Sequence, residues 1–175
     1  MKIRYLDGQR LYYAFLAGGT AVIQDKDTLN RINVFPVPDA DTGTNLASTM
    51  RSIALGTKVS RSLRDTLRSI ADAALLGARG NSGLIFAQFL YGLSREASNE
   101  RRLTTLSFGE LMARAVRHAY EAILHPVEGT MLTVMRDWAD SVFHYRQRTT
   151  DFVELLSHSL ETARRSLRET PLKLS

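Results

Sequence analysis

Apolar residues recur at helical spacing along nearly the whole chain, and no segment alternates convincingly with period two. Leu11, Tyr12, Phe15, Leu16, Val22 and Ile23 predict a first helix, in which Gly18 and Gly19 predict close packing or a bend. A short helical turn follows at residues 28–32. Leu46, Met50 and Ile53 predict the next helix, with Gly56 at its end. Ser62 and Asp65 form a capping-box pattern ahead of Leu63, Leu67, Ile70 and Ala74. Residues 84–93 are apolar on nearly every side, which predicts the central and most buried helix. Ser107 and Glu110 predict the cap of a helix carrying Leu111, Ala115 and Ala119. Met131, Met135, Trp138 and Val142 mark a further helix, and Phe152, Leu156, Ser159 and Ala163 the last. The polar, Arg-containing stretches at 94–105 and 145–150 read as exposed connections, and there is no internal repeat. The predicted fold is all-α, in one domain.

Three loops interrupt this pattern, and each opens a helix. Residues 33–46, NVFPVPDADTGTNL, place Asp39 and Asp41 one residue apart on a stretch stiffened by Pro36 and Pro38. Alternate residues of an extended backbone point the same way, so both carboxylates can reach one divalent cation or a close pair. Thr42, Gly43, Thr44 and Asn45 then supply a flexible turn and helix-capping side chains, which opens backbone N–H groups toward the same place. Cation ligands beside anion-binding amides point to a metal-bound phosphate; the same residue types also build ordinary turns before helices. Residues 77–83, GARGNSG, place a glycine at every third position between two apolar stretches, where a helix N-terminus offers unpaired N–H groups to an anion. Neither a Walker A loop nor a GxGxxG fingerprint is present, and a plain helix–helix turn is the other reading. Residues 125–134, HPVEGTMLTV, run from a Pro and Gly loop into an apolar helix. Glu128, Gly129 and Thr130 read as a cap and first turn, while Met131 and Leu132 can pack against a flat ring or simply begin a core helix.

In this order, NVFPVPDADTGTNL, GARGNSG and PVEGTMLTV resemble the three motifs of the nucleotide-binding domain shared by dihydroxyacetone kinases and bacterial fatty acid kinases. The first motif is closest to the fatty acid kinase branch. The resemblance covers nearly the whole chain, from a helix beginning near Asp7 to one ending near Glu169. It implies a barrel of about eight antiparallel amphipathic helices that binds ATP or ADP through two magnesium ions at one end. Asp39 and Asp41 match the magnesium-binding aspartates, and Asn33 lies near a third ligand that is an aspartate in dihydroxyacetone kinases. Thr42, Gly43, Thr44 and Asn45, together with Gly80, Asn81, Ser82 and Gly83, are then expected to hold phosphate oxygens, with Arg79 as an extra phosphate partner or a surface charge. Gly129, Thr130, Met131 and Leu132 are expected to enclose the adenine. Ala40 departs from the pattern, standing where the family usually has glycine and narrowing the backbone freedom of the metal loop. Fatty acid kinases of this type also continue into a middle and a C-terminal domain. Residues 1–175 are therefore expected to be the nucleotide-binding kinase domain, N-terminal in a longer protein.

Composition narrows the remaining choices. A chain of 175 residues, 44% hydrophobic, can bury one sizeable core. It has no cysteine, which excludes disulfides and thiolate chemistry. The N-terminal MKIRYLDGQR lacks the apolar centre of a signal peptide, so a cytoplasmic protein without membrane insertion is expected. The net charge of +5 rests on arginines such as Arg61, Arg64, Arg68, Arg101, Arg102, Arg164, Arg165 and Arg168, scattered over helices that also carry acids. That favours a solvated or docking surface over nucleic acid. The four histidines lack metal-ligand spacing, and only His125 precedes a candidate loop. The expected activity is phosphoryl transfer from Mg-ATP to a fatty acid carboxylate held on a separate fatty-acid-binding protein, giving an acyl phosphate for phospholipid synthesis. The alternatives are a dihydroxyacetone kinase nucleotide subunit, disfavoured by Asn33 and the VFPVP spacing, and a non-catalytic nucleotide-binding regulatory module.

Overall fold

The computed structural model describes residues 2–174. A two-residue strand β1 (Leu6–Asp7) leads into α1 (Gly8–Gln24) and the short α2 (Lys26–Arg31), followed by α3 (Thr42–Gly56), α4 (Leu63–Gly77) and α5 (Gly80–Glu96). After β2 (Arg102–Leu103) come α6 (Thr105–Glu121), α7 (Met131–Tyr145) and α8 (Phe152–Lys173). The fold is all-α, as the apolar periodicity predicts; the only pairing among the described residues is antiparallel, Leu6 with Leu103 and Asp7 with Arg102.

Local chemistry sets where the helices start. Asp7 accepts from the Arg10 amide to begin α1, and Ser62 accepts from the Asp65 amide to begin α4. Each such cap contributes about 1 kcal/mol. The start of α6 differs from expectation. Thr104, not Ser107, is the cap, and Ser107 is its reciprocal partner three residues on. Asp151 both caps α8 through the Val153 amide and accepts from the Ile3 amide at 3.0 Å. Phe152 N–H donates in turn to Ile3 O at 2.8 Å, which ties the N-terminal segment to the start of the last helix.

From α3 to α8 each helix packs on its neighbour in the chain, with α1 lying across α3 and α4. The core runs through all of them, with Ile53, Leu63, Ile70, Leu90, Met112, Leu132, Val142, Phe152 and Leu155 fully or almost fully enclosed. Residues 84–93 are not the most buried stretch: Leu84 and Tyr91 are 41% and 37% exposed. That place belongs to α6, which buries Phe108, Leu111, Met112, Ala115, Val116 and Ala119. The apolar run in α5 overstates its burial because Leu84 and Tyr91 face solvent while Ala87, Leu90 and Leu93 face its neighbours.

Side-chain bonds fix the directions. Ser48 and Ser52 of α3 donate to Gly77 O and Ala73 O of α4, at 3.1 and 2.6 Å, so these two helices are antiparallel. Only Ala78 and Arg79 separate α4 from α5, which turns the chain back. On α7, Asp137 meets Ser166 and Tyr145 meets Glu154 of α8, again antiparallel. Phe108 and Phe152, near the starts of α6 and α8, lie 5.4 Å apart, and the end of α7 backs onto Gly109. The N-termini of α3, α5 and α7 therefore share one end of the molecule, and with them all three candidate loops. At the opposite end Arg10 and Arg102 flank the Tyr5 ring at 4.4 and 4.6 Å, and Arg64 bonds Asn99. Several arginines that are dispersed in sequence thus gather there. No helix among the described residues is long and apolar enough to cross a membrane.

Candidate functional site

The loop before α3 is held from within and from α2. Asn33 donates to Val37 O at 2.8 Å, and its carboxamide oxygen accepts from both the amide (3.3 Å) and the hydroxyl of Thr42. Asn30, on α2, accepts from the Thr44 amide and donates to the Thr44 hydroxyl, each at 3.0 Å. Gly43 lets α2 come this close, since a Cβ there would lie 2.1 Å from Lys26 O. Between these anchors Asp39 is exposed and Asp41 half-buried. Asp41 occupies the cap position of α3, yet its side chain makes no capping bond. Ala40, between the two acids, sits at φ +55°, the left-handed region that glycine adopts without penalty. That geometry turns the chain sharply between the carboxylates.

The glycine loop packs directly on this element. Gly80 has φ +54°, and a Cβ on it would lie 2.2 Å from Asn45 Nδ2. A Cβ on Gly83 would lie 2.9 Å from Thr49 Oγ1, and one on Gly77 2.2 Å from Ser52 Cβ. The three-residue glycine spacing therefore lets α4 and α5 approach α3. In consequence the first turns of α3 and α5 lie side by side, and the first amides of a helix have no intrahelical partner. Asn81 is exposed, and the buried Ser82 Oγ has no hydrogen-bond partner. Arg79, just before α5, makes no side-chain cap.

The third loop is braced differently from its sequence reading. Thr130 is the cap position of α7, and its hydroxyl turns back to donate to Val127 O at 2.7 Å. Gly129, at φ +80°, is buried against the end of α8 around Thr170 and Leu174. Its amide donates to Thr133 Oγ1 at 2.9 Å, and that hydroxyl donates to Glu128 Oε2 at 2.7 Å. Glu128 is thus a brace and not a cap: Arg136 and Tyr120 also donate to it, at 2.6 and 3.3 Å. The Thr133 hydroxyl, with the Arg136 guanidinium, holds its carboxyl below the usual carboxylate range against the opposing pull of burial. Burial, with Glu128 and Asp137 nearby, pushes the Tyr120 hydroxyl up to about 12. Leu132 is 2% exposed and belongs to the core, which leaves Thr130 and the half-buried Met131 as the outward residues of this turn. The third loop shares the end of the molecule with the other two, but only they pack on each other through Asn45 and Gly80.

Sequence reasoning missed Asn30. Nothing in a lone asparagine on a six-residue helix signals a contact with Thr44, fourteen positions on. No group of three or more His, Cys, Asp or Glu side chains clusters as a metal site among the described residues. A cation here would take Asp39 and Asp41 and fill its shell with neutral oxygens, which suits magnesium, since it keeps several waters and phosphate oxygens. The unpartnered Ser82 Oγ and the uncommitted Asp41 carboxylate fit such a group.

The family model for the DAK2 domain matches residues 36–175. Protein YloV of Bacillus subtilis is 37% identical over 175 residues, covering 98% of this chain and 31% of that protein. An uncharacterized protein of Staphylococcus saprophyticus is 37% identical over 168 residues, 95% of this chain and 30% of its own length. Another, from Staphylococcus epidermidis, is 33% identical over 171 residues, covering 97% and 31%. The chain spans about a third of the length of the curated relatives it matches.

Proposed function

Because the chain belongs to the DAK2 domain family, we propose that the end carrying its three loops binds a magnesium–nucleotide and transfers the γ-phosphoryl group of ATP to a fatty acid carboxylate. The observation that carries this reading is the pair Asp39 and Asp41, set on either side of the left-handed Ala40 and beside the adjoining first turns of α3 and α5. Asp39 and Asp41 would hold the cation, with Asn33, whose carboxamide oxygen accepts twice from Thr42, fixing the loop that presents them. Bound magnesium neutralises charge on the phosphate oxygens as the phosphoryl group moves. The amides of Gly43, Gly80, Asn81 and Ser82 and the side chains of Thr44, Asn45 and Ser82 would receive phosphate oxygens, while Met131 and Thr130 would face the base. Leu132 would support that surface from behind.

In the transfer, a carboxylate oxygen bonds to the γ-phosphorus as its bond to the bridging oxygen breaks, and ADP leaves with the electron pair. A carboxylate is already ionised at neutral pH and needs no base. That agrees with three loops whose only titratable groups, apart from the paired aspartates, are Arg79, His125 and the bonded Glu128. Exposed apolar side chains surround the site: Ile32, Val34, Phe35 and Val37 on the first loop, and Leu76 at the end of α4. A kinase must exclude water from the transferred group. An apolar rim of this kind suits closure by a protein that brings the acyl chain, and a patch of exposed apolar residues around a polar site marks an interaction surface.

The test is a phosphoryl-transfer assay with the protein, offering fatty acid on its carrier and dihydroxyacetone in parallel. Acyl phosphate formed only with the first supports the proposal. Transfer to dihydroxyacetone alone selects the ketone-kinase reading, and nucleotide binding without transfer to either selects a regulatory module.

A further inference from the structure

Resting on the reading of this end as a metal–nucleotide site, we propose that Asn30 is a positioning residue: together with Asn33 it caps α3 from outside the helix and leaves the Asp41 carboxylate free for the cation. An aspartate at a cap position ordinarily turns its carboxylate onto the amide two or three residues ahead. Of the aspartates at helix caps, Asp25 (ψ 7°) makes no such bond, whereas two do so, Asp7 onto Arg10 and Asp151 onto Val153. Their backbones are extended, with ψ 178° and 116°. Asp41 has ψ −9° and makes no such bond.

Of the two amides its carboxylate would otherwise serve, those of Gly43 and Thr44, the second is already occupied. Thr42, the first residue of α3, donates to Asn33, and Thr44, the third, donates to Asn30 at 3.0 Å. The Asn30 carboxamide is held in turn by its donation to the Thr44 hydroxyl, so its orientation is fixed at both ends. Gly43 makes the arrangement possible, because any larger residue would push α2 and Asn30 away. The capping work thus falls to two neutral amides, and the one group with a negative charge is left for a ligand. If Asn30 were removed, the Thr44 amide would draw the Asp41 carboxylate onto the helix and away from the cation.

The experiment compares wild type, Asn30→Ala, Asn30→Asp and, as a stability control at the far end, Ser62→Ala. Bound Mn²⁺ is counted by electron paramagnetic resonance in the presence of ADP, and melting temperature is measured on the same samples. Asn30→Ala is expected to weaken Mn²⁺–ADP binding by about tenfold or more, the usual scale for losing an outer partner of a metal ligand. Asn30→Asp is expected to retain it, since its carboxylate accepts from the Thr44 amide and the Thr44 hydroxyl can reverse and donate. Ser62→Ala should lower the melting temperature without changing affinity. Wild-type affinity in Asn30→Ala, or a loss no larger than that of Ser62→Ala, would overturn the role of Asn30 while leaving the metal–nucleotide reading intact. A wild type that holds no Mn²⁺ with ADP would overturn both.

Discussion

Ala40 carries a strain that a single atom removes. Its left-handed backbone costs an alanine roughly 1–2 kcal/mol, whereas glycine there loses only the ~0.5–1 kcal/mol of extra chain entropy. Ala40→Gly is therefore expected to stabilise the fold by on the order of 0.5–1 kcal/mol, a rise of about 1–4 °C in melting temperature for a chain of this size. A fall would show that the loop is not held at this geometry in solution. The neighbouring carboxylates should behave oppositely. Asp39→Ala and Asp41→Ala remove groups without a structural bond, so each should change stability by no more than about 0.5 kcal/mol. Each should still abolish magnesium-dependent nucleotide binding; unfolding on either substitution would assign them a structural role. The loop of Asp39 and Asp41 is legible in sequence because two acids, two prolines and the cap residues carry their geometry locally. Asn30 is not, because its role exists only once α2 is folded against α3.

The seam between α3 and α5 changes what the glycines are for. Their spacing suggested backbone freedom for a phosphate, whereas Gly80 and Gly83 are the surfaces on which Asn45 and Thr49 rest. Gly80→Ala should thus cost on the order of 1–3 kcal/mol by overpacking, before any effect on a ligand. Thermal unfolding checks this, and an unchanged melting temperature would mean that the two helices do not meet there. The third loop carries its own prediction. Glu128 titrates below its ordinary value in the folded state, so its stabilising contribution is present above the unfolded value near pH 4.3 and is lost as pH falls below it. Protection of the Gly129 amide against hydrogen exchange, taken relative to its intrinsic rate, should therefore fall in wild type as pH drops below that unfolded value. Thr133→Val, which removes the bridging hydroxyl, should make that amide exchange fast already at neutral pH; slow exchange in this variant would argue against the brace. At Ser62 the forward cap onto the Asp65 amide matches the sequence pattern, while the reciprocal bond goes to Ser60 and not to Asp65; the caps at Thr104 and Glu128 differ from it. There the bonding partner alone decides which of several capping residues does the work.

Across the molecule, helix polarity is what assembles the site. The periodic apolar pattern shows how many helices there are, but the meeting of three distant loops depends on the antiparallel packing of α3 with α4 and of α7 with α8. The two-residue link at Ala78 and Arg79 is the one part of that topology visible in the sequence itself. The burial ranking of α5 and α6 was not visible, because the depth of a helix depends on its neighbours and not on its own composition. A cation held by Asp39 and Asp41 would bridge the protein to a nucleotide. Titration calorimetry with ATP in magnesium and in chelator, for wild type, Asp39→Ala and Asp41→Ala, tests that claim directly. Binding by the wild type in magnesium alone, and by neither variant in either condition, is the result expected; equal affinity in chelator, or variants that bind as wild type does, would contradict it.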